Sequence, residues 1–339
     1  MPRRNNTRMT TPTLKDPFGR DISYLRLSVT DRCDFRCTYC MAEEMTFAPR
    51  SQLLNLEEMA FIAKTFASLG TRRIRITGGE PLIRRDLTKL LRSITRDCQL
   101  EDLAITTNGS HLAQHAAELK EAGVNRINVS LDTLNPERFK ELTRTGNLSK
   151  VLKGIVTAKQ YDFDKIKLNT VALRGFNDGE INDLINFAVE HGLDISFIEE
   201  MPLGEITAHN RKDAFLSSQE IKQIIGERYK LKESQATTGG PSRYWSVEGS
   251  NAKVGFISPH SNNFCSTCNR VRLTAEGRLL LCLGNEHSVD LRATVRKYPF
   301  DTAALTAAIE EGLLLKPEKH HFDLDTPPQI IRFMNTTGG

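Results

Sequence analysis

From about residue 22 to residue 200, short runs rich in β-branched residues alternate with longer stretches whose apolar positions recur at helical spacing. The runs at 24–29, 73–77, 103–107, 126–131, 165–171 and 195–199 predict strands. The stretches at 56–69, 87–95, 111–121, 148–160, 181–191 and 218–227 predict helices. Asn55 stands before the first helix with Glu58 three positions on, a capping-box spacing, and Gly70 and Gly123 sit where C-terminal caps belong. Alternation of this kind predicts a parallel sheet. Near residue 235 the pattern changes. Residues 235–242 form a polar, Gly/Pro-containing break, and short alternating runs follow at 243–247, 252–257, 271–274 and 278–281. The last two flank Ala275-Glu276-Gly277, a hairpin turn. Helical patterns at 289–296 and 302–312 precede a Pro-rich end expected to be poorly structured. The expected division is a loose tail at 1–13, an α/β region at 14–234 and a C-terminal region at 235–339.

Composition narrows the class without naming a function. The 339 residues are 39% hydrophobic, with a formal net charge of +4, which excludes disorder and gives no general preference for nucleic acid. No apolar stretch is long enough for a membrane span, and residues 1–13 lack the apolar core of an export signal, so a cytoplasmic protein is expected. In a reducing compartment the seven cysteines do not form a disulfide framework. Cys33, Cys37 and Cys40 form one triplet and Cys265, Cys268 and Cys282 another; both spacings point to metal. Cys98 stands alone and reads as a buried thiol at a helix end.

The chemistry-bearing residues recur where a strand gives way to its loop. The first triplet follows the first strand, Gly78-Gly79-Glu80-Pro81 the second, Thr106-Thr107-Asn108-Gly109 the third, Ser130-Leu131-Asp132 the fourth and Glu199-Glu200-Met201 the sixth. A doubly wound sheet gathers function at one switch point, whereas a barrel draws it from many strand ends, so a complete or partial barrel is expected. Three thiolates on a four-iron cluster leave one iron open, while a closed zinc site needs a fourth ligand, and no fourth Cys or His lies nearby, the next histidine being His111. For the second triplet, His287 or His260 would complete a zinc site, and that alternative stays open. Arg72, Arg73, Arg75, Arg84 and Arg85 cluster around the glycine turn, and Arg270 and Arg272 share one strand face. Guanidiniums facing one cavity suit a triphosphate. Lys167 points opposite to Ile166 and Leu168, and inside a barrel it needs an anion.

The first triplet together with the glycine turn resembles the radical S-adenosylmethionine enzymes. Further blocks narrow the resemblance: Phe18-Gly19-Arg20, Leu25-Arg26-Leu27-Ser28-Val29-Thr30, Arg75 to Leu82, Thr106 to Gly109, Asn128 to Asp132, Phe264 to Leu273 and Gly338-Gly339. In this order they are similar to the GTP 3′,8-cyclases of molybdenum cofactor biosynthesis, the MoaA family. The resemblance implies an α/β partial (β/α) barrel of the radical S-adenosylmethionine type, with a C-terminal antiparallel-strand extension carrying a second [4Fe–4S] cluster at Cys265, Cys268 and Cys282. It implies a first [4Fe–4S] cluster at Cys33, Cys37 and Cys40, and S-adenosylmethionine contacts at Tyr39, Gly79, Ser130 and Met201. GTP contacts would be Arg26, Arg75, Thr106, Lys167, Arg270, Val271 and Arg272, with Arg270 and Arg272 counted among the catalytic residues beside the first three cysteines.

The implied reaction is that of a lyase. Reductive cleavage of S-adenosylmethionine supplies a radical that takes hydrogen from C3′ of GTP, and C3′ then bonds to C8 of guanine, giving (8S)-3′,8-cyclo-7,8-dihydroguanosine 5′-triphosphate. Implied partners are an electron donor such as a flavodoxin or ferredoxin and a downstream cyclic pyranopterin monophosphate synthase; no membrane or nucleic acid is implied, and a homodimer is left open. A peptide-modifying radical enzyme and a zinc protein that binds nucleic acid are the competing readings. Asp34, Ala42 and Ser196 depart from the usual Asn, Pro and Arg of the family. Ser196→Arg is expected to be tolerated unless Arg174 or Lys167 already fills the space. Gly338-Gly339 is expected to reach into the barrel opening.

Overall fold

A computed structural model describes residues 13–207, 209–326 and 330–338. All but one residue of the expected N-terminal tail, and Gly339, lie outside the described residues. The strands are β1 (Tyr24–Ser28), β2 (Arg73–Thr77), β3 (Asp102–Thr107), β4 (Arg126–Ser130), β5 (Lys165–Ala172), β6 (Asp194–Glu199), β7 (Leu231–Ser234), β8 (Arg243–Val247), β9 (Lys253–Ile257), β10 (Arg270–Leu273), β11 (Arg278–Leu280) and β12 (Ser288–Asp290). They form one sheet in the order β12-β11-β10-β1-β2-β3-β4-β5-β6-β9-β8-β7. From β10 through β9 every neighbouring pair is parallel, and the antiparallel pairs lie only at the two ends. The fold is therefore α/β and barrel-like, but the sheet does not close: β12 and β7 are its outer edges.

Helices α1 (Leu56–Ser68), α2 (Leu87–Asp97), α3 (Leu112–Glu121), α4 (Pro136–Thr143), α5 (Leu148–Ala158) and α6 (Ile181–Glu190) return the chain between the first six strands. After them come α7 (Arg211–Ala214), α8 (Ser218–Gly226), α9 (Leu291–Lys297), α10 (Thr302–Leu313) and α11 (Met334–Thr337). The Asn55–Glu58 capping box forms as the spacing predicts. Cys98 caps the end of α2 and is buried. Among the described residues no helix is long and apolar enough to cross a membrane.

Three expectations are corrected. Helix α4 interrupts what reads as loop; Asn135 accepts from the Glu137 and Arg138 amides and Pro136 occupies the first turn. The helix placed at 289–296 starts later, because Asp290 caps it and Val289 belongs to β12. The chain near its end is ordered where residues 334–337 form a helical turn, with the Met334 amide donating to Cys40 O at 3.1 Å.

At the N-terminal ends of the strands, Arg126 makes a two-pronged contact with Asp102, its Nε 2.6 Å from Oδ1, and Lys165 lies 3.3 Å from Asp194. One step along, Arg26 stands between Arg75 of β2 and Arg272 of β10, and Lys167 lies opposite Asn128. Beyond these the strands end and the loops with the special residues begin. Only the ion pairs are balanced charge. Asp102→Ala, which strands a largely buried guanidinium, is expected to cost about 3 kcal/mol in urea unfolding followed by circular dichroism.

Candidate active site

The loop after β1 carries Cys33, Cys37 and Cys40 and is held from several sides. Arg36 and Thr38 donate their amides to Thr143 O and Leu142 O, both at 2.9 Å, so α4, the helix missed in the sequence, anchors the cysteine loop. On the other side the Gly79 amide reaches Thr30 O and the Glu80 amide Arg32 O, each at 2.8 Å. A Cβ at Gly78 would sit 2.4 Å from Thr30 O, and one at Gly79 would sit 2.2 Å from Arg32 O. The glycines are thus required for two backbones to meet. Glu80 closes the turn, accepting from Leu82 N, Thr107 Oγ1 and Asn108 N at 2.9, 2.7 and 2.6 Å. Burial pushes its carboxyl up to about 7 despite these bonds.

Tyr39 donates its hydroxyl to Asp132 Oδ2 at 2.8 Å, and the Val171 amide donates to Asp132 Oδ1 at 2.7 Å. Asp34, in the family's Asn position, accepts from Asn108 Nδ2 and Ser110 Oγ, both at 2.7 Å, with His111 Nε2 at 3.3 Å. The loop absorbs the extra charge through these partners. Burial raises the Cys37 thiol and brings that of Cys40 up to about 12, as befits thiols that ionise only against a metal.

The second triplet arrives through β10 and β11. Cys265 opens a short turn, Cys268 ends it, and Cys282 lies just past β11. The expected fourth ligands are absent from this cluster. His260 Nε2 lies 2.9 Å from Glu200 O and His287 is exposed. His320 is the histidine at the triplet: its Nδ1 is 2.9 Å from Cys265 Sγ and its Nε2 3.0 Å from Pro259 O. Cys268 is lowered, because the Arg270 and Lys316 charges outweigh the burial that would raise it.

Every residue expected at the site lines one cavity of about 250 Å³: both cysteine triplets, Arg26, Tyr39, Arg75, Gly79, Thr106, Ser130, Lys167, Met201, Arg270, Val271 and Arg272. Of the five arginines expected near the glycine turn, only Arg75 does. Arg73 pairs with Glu101 at 2.6 Å, Arg72 and Arg84 donate to Ala67 O and Leu54 O, and Arg85 is exposed. Ser196 lies behind the cavity wall, its Oγ 2.9 Å from Ser242 Oγ and packed against Gly255. Arg174 is exposed and pairs with Glu220, so it does not fill that place; Ser242 does, and Arg at 196 would have to displace it. Residues missed in the sequence include Asn169, Tyr244 and the loop with Thr238, Gly240 and Ser242.

Glu199 and Glu200 also line the cavity, but Glu200 pairs with Arg211 and Glu199 accepts from the Ser218, His260 and Ser261 amides. Among the described residues no carboxylate pairs with Arg75, Lys167, Arg270 or Arg272. Burial and the neighbouring Arg270 bring the Arg272 guanidinium down to about 9, and burial lowers Lys167. Lys167 Nζ is 3.3 Å from Tyr244 OH; burial alone would raise that phenol, but the ammonium and its hydrogen bonds bring it to about 8. Arg272 Nη1 reaches Gly338 O at 2.7 Å, so the last described residue does enter the opening. Arg75 Nε, Thr106 Oγ1 and Asn169 Oδ1 are buried without partners, which marks a cavity built for a polar, anionic ligand.

Residues 27–188 match the Radical SAM superfamily and residues 193–322 match the family Molybdenum Cofactor Synthesis C. A protein of Ectopseudomonas mendocina (strain ymp) named GTP 3′,8-cyclase is 58% identical over 331 residues, 98% of this chain and 100% of that one. The chain belongs to the GTP 3′,8-cyclase family. Another member, GTP 3′,8-cyclase 2 of Pseudomonas aeruginosa, is 57% identical, again over 98% of this chain and 100% of that one. The fold extends beyond the cyclase family. The crystal structure of Streptococcus suis SuiB bound to S-adenosylmethionine superposes with a TM-score of 0.61 at 16% identity, covering 94% of this chain and 78% of that one. The Radical SAM match implies one [4Fe–4S] cluster and S-adenosylmethionine. A pinned loop with three free thiols beside a glycine turn that lines the same cavity is a donor set that fits them.

The Tyr39–Asp132 contact gives a pH test. Burial pushes the Asp132 carboxyl from its ordinary 3.8 up to about 6. A raised carboxyl favours the folded state most below pH 3.8, and the advantage disappears as pH rises through about 6. Urea midpoints of the metal-free chain are expected to fall between pH 4 and pH 7, and Asp132→Asn to flatten that step by up to about 3 kcal/mol.

Proposed function

We propose that this cyclase joins C3′ of GTP to C8 of its guanine, with S-adenosylmethionine and one [4Fe–4S] cluster at Cys33, Cys37 and Cys40 and a second [4Fe–4S] cluster at Cys265, Cys268 and Cys282. The observation that carries this reading is that both triplets and the unbalanced cations line the same cavity. The first cluster with S-adenosylmethionine supplies, when bound, the radical that abstracts hydrogen. The chain's own residues do the rest. Tyr39, Gly79, Ser130 and Met201 line the same cavity and serve as contacts for S-adenosylmethionine. Arg75, Lys167, Arg270 and Arg272 provide the positive lining for a triphosphate, Arg26 and Thr106 complete that wall, and Val271 carries the two strand arginines.

For the second triplet, cluster and zinc remain distinct outcomes. Among the described residues no three Cys, His, Asp or Glu side chains converge on a single-ion site. Three thiolates on a polynuclear cluster each hold a different iron, so a cluster does not require them to meet at one point. The enclosing sheet and the Arg272–Gly338 contact exclude water from a reaction that solvent would quench. A flavodoxin- or ferredoxin-like protein would supply the electron, and a cyclic pyranopterin monophosphate synthase would consume the product; a cytoplasmic location suits both.

Anaerobically purified protein is expected to hold about eight irons per chain and negligible zinc. About four irons with one zinc would overturn the second cluster and leave the first. Cys37→Ser is expected to abolish cleavage of S-adenosylmethionine, whereas Cys268→Ser should retain some uncoupled 5′-deoxyadenosine release and lose the cyclised product. Arg272→Ala is expected to weaken GTP binding by about 2–3 kcal/mol in equilibrium titration, the value of a charge-assisted contact in a dry site. Affinity equal to the parent's would remove Arg272 from the triphosphate wall.

A further inference from the structure

Lys316 follows α10 and is only 3% exposed. Its ammonium donates to Arg270 O at 3.1 Å and to Leu281 O, and lies 3.9 Å from Cys268 Sγ. The two carbonyls belong to the strand that leaves Cys268 and to the residue that precedes Cys282. Both are neutral. Among the described residues no carboxylate pairs with Lys316; Asp16, whose charge acts on it, is held by Arg20 at 2.5 Å. Burying an ammonium without a counter-charge costs several kcal/mol, and carbonyl dipoles offset only part of that.

A four-iron core carrying two positive charges and held by three thiolates bears a net negative charge, and one-electron reduction makes it more negative. An ammonium fixed beside one ligating sulfur therefore holds the cluster and favours its reduced form. We propose that Lys316 is the built-in counter-charge of the second cluster, directing an N–H at Cys268 Sγ while its other hydrogen bonds fix the β10 and β11 strand ends between which the cluster sits. It is a positioning residue: it touches a ligand and the backbone of Arg270, not the substrate. The inference rests on the assignment of a cluster to Cys265, Cys268 and Cys282.

The test uses the full chain with Cys33, Cys37 and Cys40 changed to Ala, so that any cluster signal comes from the second triplet. In that background Lys316→Met, Lys316→Gln and Lys316→Arg are compared by potentiometric titration with dithionite followed by electron paramagnetic resonance, and by the rate of iron release to a chelator. Lys316→Met is expected to shift the reduction equilibrium at least about tenfold toward the oxidised form, about 59 mV for one electron, and to speed iron release. Lys316→Gln, which keeps a donor for the carbonyls but no charge, is expected to reproduce the potential shift even where Met impairs folding. Lys316→Arg should restore most of it. Potentials in the Gln variant equal to the parent's overturn the proposal. A parent that holds zinc and no iron overturns the cluster assignment itself, and is seen before Lys316 is changed.

Discussion

Mutual repulsion among buried cations is the constraint on which this structure turns. Arg75, Lys167, Arg270 and Arg272 face one cavity without a carboxylate partner among the described residues, and Arg272 and Lys167 are held below their ordinary proton affinities by burial. Such a cluster is unfavourable in a protein that holds no anion, and the surrounding structure bears that cost. Each cation comes from a strand rather than a loop, so the sheet's hydrogen bonds fix it against its neighbours. The balanced ion pairs, Arg126 with Asp102 and Lys165 with Asp194, join the first residues of β3 and β4 and of β5 and β6. Charge is neutralised where the protein needs stability and left open where it needs a ligand.

Most of this architecture was legible from periodicity because the helices are amphipathic and the central strands are apolar on their helix-facing side. What escaped reading has specific causes. Helix α4 is short and polar, and its signal was the cap, Asn135 followed by Pro136, rather than its periodicity. Strands β7 and β12 are short pieces at the sheet edges, where burial imposes no alternation. For the site, spacing separated strand faces but not depth along a strand. Arg73 and Arg75 share a face, yet Arg73 lies at the strand's start, where Glu101 and the Gly239 turn meet it. His320 and Lys316 sit in a segment without pattern, and only the folded chain brings them to Cys265 and Cys268. At Ser196 the small side chain is matched by Ser242 and Gly255, a compensation far away in sequence.

The two halves of the site are joined differently. The first cysteine loop is over-determined: the glycine turn, α4 and the segment at Met334 all hold its backbone, and the Asn335 side chain donates to Asp31 O at 2.8 Å. The second triplet is held mainly by side chains reaching back from elsewhere, with Arg20 donating to Cys265 O at 2.8 Å and Lys316 to Arg270 O. Rigid backbone suits thiols whose geometry must not change, and polar side chains let the surroundings of the other triplet be tuned without rebuilding the sheet.

The parallel pairing of β1 with β10 also bears on how the chain reaches this state. β1 emerges during synthesis well over two hundred residues before β10, yet they are neighbours in the finished sheet. Until β10 arrives, one edge of β1 is a bare row of amides and carbonyls, which is the kind of edge that recruits other chains. Folding must therefore be slow to commit and prone to aggregation until that contact of very long sequence separation forms. The same delay leaves the interior accessible from one side until β10 pairs with β1.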